Sequence, residues 1–311
     1  MEEKRIVLRV EEGDDRREIY ATTYQMRNPF HQFADGVASE LDAFNYFSLS
    51  RAADLCPKAG RVLDLCCGRG LLIPFLRYRN RQPSAYVGVD LQPKNAIWRF
   101  PINRDPRRRG HVEMNESWHF PRIFIEGSVG AGLTGRVLEG IKDEEAFQKK
   151  GFAFDLIVFT SAIEHMQPEA QIEALSEASR LINLKGRMYL TCPITPEDRD
   201  GYACQYAAHI YEPKESELKI WLGMGGWEIE SEIGLVTKIN HLKKTLRPYD
   251  LETARNALAM GPREQMLPLL AMMFPYAATE KAYICKLNTV GKKKTIKAKP
   301  PAAGGLLEGL K

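Results

Sequence analysis

The sequence predicts an α/β fold, in which helices cover both faces of a mostly parallel β-sheet. An apolar strand, Val62 to Leu65, runs into a glycine-rich turn and then into a helical stretch that begins at Leu71. A second strand, Ala85 to Asp90, ends in an acidic residue, and a further strand, Phe154 to Phe159, precedes an amphipathic helix over Gln167 to Ile182. Strands that alternate with helices in this way are typical of parallel sheets.

The glycine turn, residues 66–70, gives the most information about the kind of ligand that the protein binds. Small residues, Cys66, Gly68 and Gly70, occupy alternate positions directly after the strand. Glycine has no Cβ, so a ligand can approach the backbone closely. A strand that ends in such a turn and then opens a helix is typical of a nucleotide-type site at the carboxyl edge of the sheet.

The residues around the turn discriminate between nucleotide ligands. Nicotinamide and flavin dinucleotides require G-x-G-x-x-G, but the sixth position counted from Gly68 is the bulky Ile73. Asp64 would repel a pyrophosphate and would suit a cationic group, such as the α-amino group of S-adenosylmethionine. Asp90 is placed to accept hydrogen bonds from both ribose hydroxyls of an adenosine.

With these motifs the chain resembles the class I S-adenosylmethionine-dependent methyltransferases. Their acid followed by alternating small residues matches Asp64 to Gly70, and their acid at the tip of the second strand matches Asp90. Their F-D-x-I strand with a following Glu-His pair matches Phe154 to Met166. Their Lys-Gly turn and fifth strand match Leu184 to Thr191. The resemblance covers roughly residues 55 to 235, with a final strand near Ala282 to Leu287.

The resemblance implies a Rossmann-like, seven-stranded sheet with an antiparallel last strand, and S-adenosylmethionine as cofactor. It also implies a set of cofactor-binding residues at the strand ends. These are Asp64, Cys66, Gly68, Gly70, Asp90, Leu91, Gly127, Ser128, Thr160 and Ser161. Cys66 replaces the usual first glycine, and Ser128 stands where the family often has a carboxylate that contacts adenine.

Three residues are candidates for catalysis on the acceptor side. His165 follows the tip of the fourth predicted strand, and His209 and Tyr211 follow the fifth, where the family often presents residues to its substrate. Histidine is the usual general base, although a base is needed only for an acceptor that is protonated at neutral pH. Some small-RNA methyltransferases hold a cation with extra histidines around a Glu-His pair. Met166 and Gln167 follow here, so we expect no metal at this position.

The remaining segments are predicted to be additions to one methyltransferase domain over residues 59–290. Residues 1–58, with a short strand near Ile6 to Val10 and a helix near Ser39 to Ala53, are interpreted as an N-terminal cap or lid. Residues 93–121 form an Arg-rich insertion, and residues 234–279 a Met-rich insertion on the substrate side. Residues 291–311 are predicted to be a disordered basic tail.

Composition places few further limits on the function. The net charge of +4 is mild and does not by itself indicate nucleic-acid binding. We find no stretch of about 20 apolar residues and no apolar core of a signal peptide at the N-terminus, so no membrane partner is expected. The six cysteines include no C-x-x-C pair and are interpreted as reduced thiols of a cytoplasmic protein.

The sequence leaves the methyl acceptor and the oligomeric state open. The Met-rich insertion slightly favours a small-molecule acceptor, and the Arg-rich insertion favours RNA or DNA. A catalytically inactive cofactor-binding module is a further alternative. A dehydrogenase is disfavoured, because the dinucleotide glycine pattern fails and no Tyr-x-x-x-Lys pair is present.

Overall fold

The computed structural model describes residues 7–9, 40–68, 70–91, 120–148, 151–205, 207–261 and 263–289. Most of the predicted N-terminal cap, nearly all of the Arg-rich insertion and the basic tail lie outside these ranges. The strands are β1 (Val7–Arg9), β2 (Arg61–Leu65), β3 (Ala85–Asp90), β4 (Arg122–Glu126), β5 (Phe154–Phe159), β6 (Ile182–Pro193), β7 (Trp227–Val236) and β8 (Glu280–Leu287). The helices are α1 (Glu40–Leu55), α2 (Leu72–Tyr78), α3 (Leu133–Ile141), α4 (Glu145–Gln148), α5 (Pro168–Leu181), α6 (Glu215–Met224), α7 (Ile239–Thr245), α8 (Pro248–Leu258) and α9 (Arg263–Met273).

The strands form one sheet in the order β1-β4-β3-β2-β5-β6-β8-β7. Strands β2 to β6 run parallel, and β8 lies antiparallel between β6 and β7. This is the predicted seven-stranded Rossmann-like sheet with an antiparallel last strand, which is therefore confirmed. The short strand β1 adds an eighth, antiparallel member at the edge, beside β4.

Burial on both faces explains why the strands are nearly continuous apolar runs. On β2, Leu63 and Leu65 pack into one core cluster, and Val62 packs into another on the opposite face. Helices α3 to α6 contribute to the first cluster, and α1 and α2 contribute to the second. Because helices cover both faces, the carboxyl edge of the parallel strands is the surface left for a site.

One segment differs from its prediction. The sequence from Val129 to Lys150 predicts a single helix, but a turn at Lys142 and Asp143 divides it into α3 and α4. The Met-rich stretch forms α9, whose apolar residues join α7 and α8 in a separate small core around Leu242, Leu267 and Leu270. Much of the apolar surface of α9 therefore packs against other parts of the insertion, residues 234–279. Among the described helices, none is long and apolar enough to cross a membrane.

Close packing at Gly234 gives a stability prediction. A Cβ added to Gly234 would overlap with the carbonyl oxygen of Ala271, because α9 lies directly against β7 there. We expect Gly234→Ala to lower the free energy of unfolding by about 1–3 kcal/mol, the usual cost of overpacking, in urea denaturation. Gly223→Ala is the control, since a Cβ there meets no atom within 4 Å. It should leave stability unchanged or raise it by up to about 1 kcal/mol. Equal stability of both variants would contradict this account.

Candidate functional site

The glycine turn has a left-handed backbone at each predicted small residue. The φ angles are 54° at Cys66, 52° at Gly68 and 71° at Gly70. Glycine adopts such angles readily, whereas the Cβ of Cys66 makes its position the strained one. Among the described residues, a Cβ placed on Gly68 would meet no atom within 4 Å, so these residues leave the outer surface of the turn open to a ligand.

Asp90 connects this turn to the neighbouring strand. Its Oδ2 atom accepts a hydrogen bond of 2.9 Å from the Gly68 backbone N–H. The next residue, Leu91, exposes 68% of its surface beside this carboxylate. An open backbone, a carboxylate and an exposed apolar side chain thus stand together at the ends of β2 and β3. These features fit the adenosine part of the expected cofactor.

Asp64 lies deeper than the rest of the turn. It is 4% exposed, and its Oδ2 atom accepts a hydrogen bond of 2.5 Å from the Tyr86 hydroxyl. Burial raises the pKa of Asp64 to about 7, although the Tyr86 hydrogen bond opposes this shift. Its expected contact with a cationic ligand stays a prediction. The structure adds Tyr86 as a partner that the sequence analysis did not identify.

The other predicted cofactor residues lie at the ends of β4 and β5. Gly127 donates its N–H to the Asp90 carbonyl oxygen at 2.9 Å, and the exposed Ser128 follows it. Ser161 has a left-handed φ of 51° and donates its N–H to the Thr191 hydroxyl at 3.0 Å. Thr160, directly before it, is half-buried. These residues therefore share the sheet edge with the glycine turn, as parallel strands require.

The structure brings the two candidate histidines together. His165 lies in a 3₁₀ turn, Ile163–His165, after β5, and His209 lies in the segment after β6. Their rings meet edge to face, with centroids 4.9 Å apart. Nδ1 of His165 is 3.0 Å from the Ala208 carbonyl oxygen, and Nδ1 of His209 is 2.7 Å from Glu212 Oε1.

Tyr211 is placed differently from the histidines. It is 7% exposed, and its hydroxyl donates a 2.8 Å hydrogen bond to Glu217. Its ring also packs against Tyr202 and Trp221. These contacts make Tyr211 a packing element beside the site, and its predicted catalytic role is not supported by any contact with the histidines.

Two buried carboxylates accompany the histidines. Glu164 is 2% exposed, and its Oε1 atom lies 4.0 Å from His209 Nε2. Burial raises the pKa of Glu164 to about 7, and the charge of Glu212 adds to this effect, while backbone N–H groups oppose it. Burial and the charges of Asp90, Asp64 and Glu164 also raise the pKa of the Cys66 thiol. Glu164 is therefore within electrostatic range of the glycine turn.

Sequence reasoning missed Glu212 and the proximity of Glu164 to His209. The three-residue spacing between His209 and Glu212 could have indicated that Glu212 lies beside His209. The expectation of no metal near Glu164 and His165 rested only on the residues that follow them in sequence. The structure places His209, which follows β6, close to both residues, so the sequence argument omitted one candidate ligand.

The raised pKa of Asp64 makes stability depend on pH. Between about pH 4 and pH 7 the folded chain retains a proton that the unfolded chain has lost, so the free energy of unfolding falls as the pH rises. Asp64→Asn should remove this pH dependence, so its free energy of unfolding should rise relative to that of the unmodified protein between about pH 4 and pH 7. The gain should reach roughly 4 kcal/mol above pH 7, at about 1.4 kcal/mol per pKa unit.

Chemical denaturation at several pH values measures this difference. Tyr86→Phe should act in the opposite direction, because Asp64 then loses the donor that stabilises its charge. Its loss of stability at neutral pH should be about 1–3 kcal/mol. If the curves of stability against pH for Asp64→Asn and the unmodified protein are parallel, Asp64 has the same pKa in the folded and unfolded states. That result would contradict the prediction.

The chain matches a protein-family model and is similar to several solved structures. A family model described as a methyltransferase domain matches residues 39–232. The chain is similar in structure to the small RNA methyltransferase HEN1, with 13% identity, a TM-score of 0.46, and coverage of 82% of this chain and 25% of that one. A TehB-like SAM-dependent methyltransferase from Corynebacterium glutamicum shares 14% identity, with a TM-score of 0.44 and coverage of 85% and 96%.

A SAM-dependent methyltransferase from Archaeoglobus fulgidus shares 15% identity, with a TM-score of 0.43 and coverage of 85% of this chain and 100% of that one. No curated protein sequence matches the chain. The family model spans more than half of the chain and includes the glycine turn, Asp90 and the Glu164-His165 pair. The chain therefore belongs to the methyltransferase-domain family, with the class I Rossmann-like fold and S-adenosylmethionine as its cofactor.

Proposed function

We propose that this methyltransferase acts on a small-molecule acceptor that carries a hydroxyl or amine group. The main support for the proposal is that Glu164, His165 and His209 lie close together beside the glycine turn, at the ends of adjacent strands. Such a site needs a cofactor on one side and polar groups for an acceptor on the other. In-line alignment of the two and exclusion of water then account for most of the catalysis.

The cofactor side is assigned to the strand ends of β2 to β5. Gly68 and Gly70 admit the cofactor to the backbone, and Asp90 accepts hydrogen bonds from its ribose. Asp64 contributes a negative charge near the amino group, and Leu91, Gly127 and Ser128 border the base. When bound, S-adenosylmethionine supplies an electrophilic methyl group.

The acceptor side is assigned to the histidine pair. In the neutral form, an imidazole that donates Nδ1–H to a neighbouring oxygen has its lone pair on Nε2. Ala208 and Glu212 provide such oxygens for His165 and His209, respectively. Both rings are thereby oriented to act on the acceptor side through Nε2, and Tyr211 is assigned to positioning this segment.

Electrostatics favours a small molecule over a nucleic acid at these histidines. Glu164 and Glu212 are buried beside them, and burial together with these two charges raises the pKa of nearby Glu280. Converging carboxylates disfavour a phosphate backbone, which makes a large contribution to nucleic-acid binding. RNA or DNA remains the alternative acceptor and depends on the Arg-rich insertion, most of which lies outside the described residues.

The cellular location proposed is the cytoplasm. All six cysteines are free thiols, which is the usual state in a reducing compartment. Four of them are buried, at Cys56, Cys67, Cys192 and Cys285, where they act as small apolar side chains.

Cofactor affinity tests the ribose assignment. Asp90→Ala should weaken S-adenosylmethionine binding by about 2–3 kcal/mol, since it removes a charged acceptor of hydrogen bonds. Isothermal titration calorimetry measures this change. Glu252→Ala, which removes an exposed carboxylate on α8, is the matched control and should bind as the unmodified protein does. Unchanged affinity of the Asp90 variant would refute the assignment.

Methyl transfer from labelled S-adenosylmethionine tests the acceptor class. The protein is incubated with small-molecule, RNA, DNA and protein fractions of a cell extract, and the label is followed in each. We expect label in the small-molecule fraction, and its loss with Asp90→Ala. Label only in nucleic acid would favour the alternative, and label in no fraction, despite cofactor binding, would favour an inactive cofactor-binding module.

A further inference from the structure

We propose that Glu164, His165 and His209, the Glu-His-His cluster, bind one divalent cation beside the cofactor. One potential ligand atom from each side chain lies within 4.8 Å of the others. His209 Nε2 and Glu164 Oε1 are 4.0 Å apart. Small side-chain rotations would bring all three to the ~2.0–2.2 Å that nitrogen and oxygen ligands take around a metal such as zinc.

Both imidazoles are held in the orientation that ligation requires. Metal-binding histidines almost always donate their other ring N–H to a carbonyl or a carboxylate. His165 has the Ala208 carbonyl oxygen 3.0 Å from Nδ1, and His209 has Glu212 Oε1 2.7 Å from Nδ1. In the neutral form of each ring, a hydrogen bond donated from Nδ1 leaves the lone pair on Nε2, on the opposite side of the ring from the supporting oxygen.

Glu164 provides an independent reason to place a cation here. Its side chain is almost fully buried, yet its Oε2 atom has no hydrogen-bond partner in the described part of the chain. A buried carboxylate oxygen without a donor is costly, and a bound cation is one of the few groups that can compensate it. Glu212 lies directly beside the cluster, with its Oε1 atom 2.7 Å from His209 Nδ1, and its carboxylate further favours a cation.

The backbone holds the cluster together before any ligand binds. The Glu164 carbonyl oxygen accepts hydrogen bonds from the N–H groups of Ile210 and Tyr211, at 2.9 and 3.1 Å. The buried Gln171 side chain donates to the carbonyl oxygens of Met166 and Tyr211. The 3₁₀ turn after β5 and the segment after β6 are thus joined on both sides of the cluster. The side chains that would coordinate the cation therefore need little ordering when it binds.

The ligand set indicates the class of metal and its role. Two imidazoles and one carboxylate suit Zn²⁺, Mn²⁺, Fe²⁺ or Co²⁺ better than Ca²⁺, which prefers oxygen ligands. Three protein ligands leave coordination positions open, as in catalytic metal sites. In a role that rests on the proposed function, the acceptor hydroxyl would bind there, and the cation would lower its pKa so that it loses its proton to solvent water. The oxygen–methyl bond would then form as the methyl–sulfur bond of S-adenosylmethionine breaks and S-adenosylhomocysteine leaves.

Direct metal binding tests the site without relying on activity. The full chain is stripped with a chelator and titrated with Co²⁺, which reports its coordination through visible d–d absorption, and with Zn²⁺ by calorimetry. We expect one ion per chain and absorption typical of mixed nitrogen and oxygen ligation. Glu164→Gln and His209→Ala should each weaken binding by at least about 10-fold, and Glu212→Gln by about 10- to 100-fold through loss of orientation.

His241→Ala is the matched control, because His241 lies outside the cluster, on α7, and should leave Co²⁺ affinity unchanged. Circular dichroism confirms that each variant is folded before titration. Failure of the unmodified protein to bind Co²⁺ or Zn²⁺, or equal affinity in His209→Ala and His241→Ala, would overturn the proposal. Metal binding without methyl transfer to any small molecule would leave this site intact and refute only the proposed acceptor.

Discussion

The hydrogen bond from the Gly68 N–H to the Asp90 carboxylate is the interaction on which the arrangement of the cofactor side depends. It joins a turn with a left-handed backbone to the end of the neighbouring strand and so sets the distance between two elements that are far apart in sequence. The parallel pairing of β2 and β3 brings Gly68 and Asp90 to one edge of the sheet. A second hydrogen bond, from the Cys67 N–H to the Val89 carbonyl oxygen at 3.1 Å, also joins the turn to β3.

The proposed acceptor side is held together by contacts between loops. Here the backbone of Glu164 is hydrogen-bonded to the segment that carries His209, so that two loops behave as one unit. Catalytic groups on loops are usually supported by a rigid scaffold. In this chain the scaffold is the β5–β6 pair, and the two loops also support one another. The Glu-His-His cluster is therefore defined by contacts between loops as much as by the sheet.

Sequence reasoning identified the sheet and predicted that the candidate cofactor residues share its carboxyl edge, because both depend on local patterns. The bounds of β3 and β5 agree with those predicted, since each is a short apolar run between clear turns. The break between α3 and α4 was missed because its turn residues, Lys142 and Asp143, are compatible with a helix. The Glu-His-His cluster and the Tyr86–Asp64 pair depend on contacts across strands, which no single segment encodes.

The buried Tyr86–Asp64 pair has a consequence for the proposed cofactor side. A carboxylate held out of water is most compatible with the fold when it is neutral, but it can attract an ammonium group only when it is ionised. The protein would then bind a positively charged ligand most strongly in the alkaline range where its own core tolerates that carboxylate least. Ligand recognition and folding would thus make opposite demands on one proton, and the phenolic hydroxyl of Tyr86 moderates the conflict.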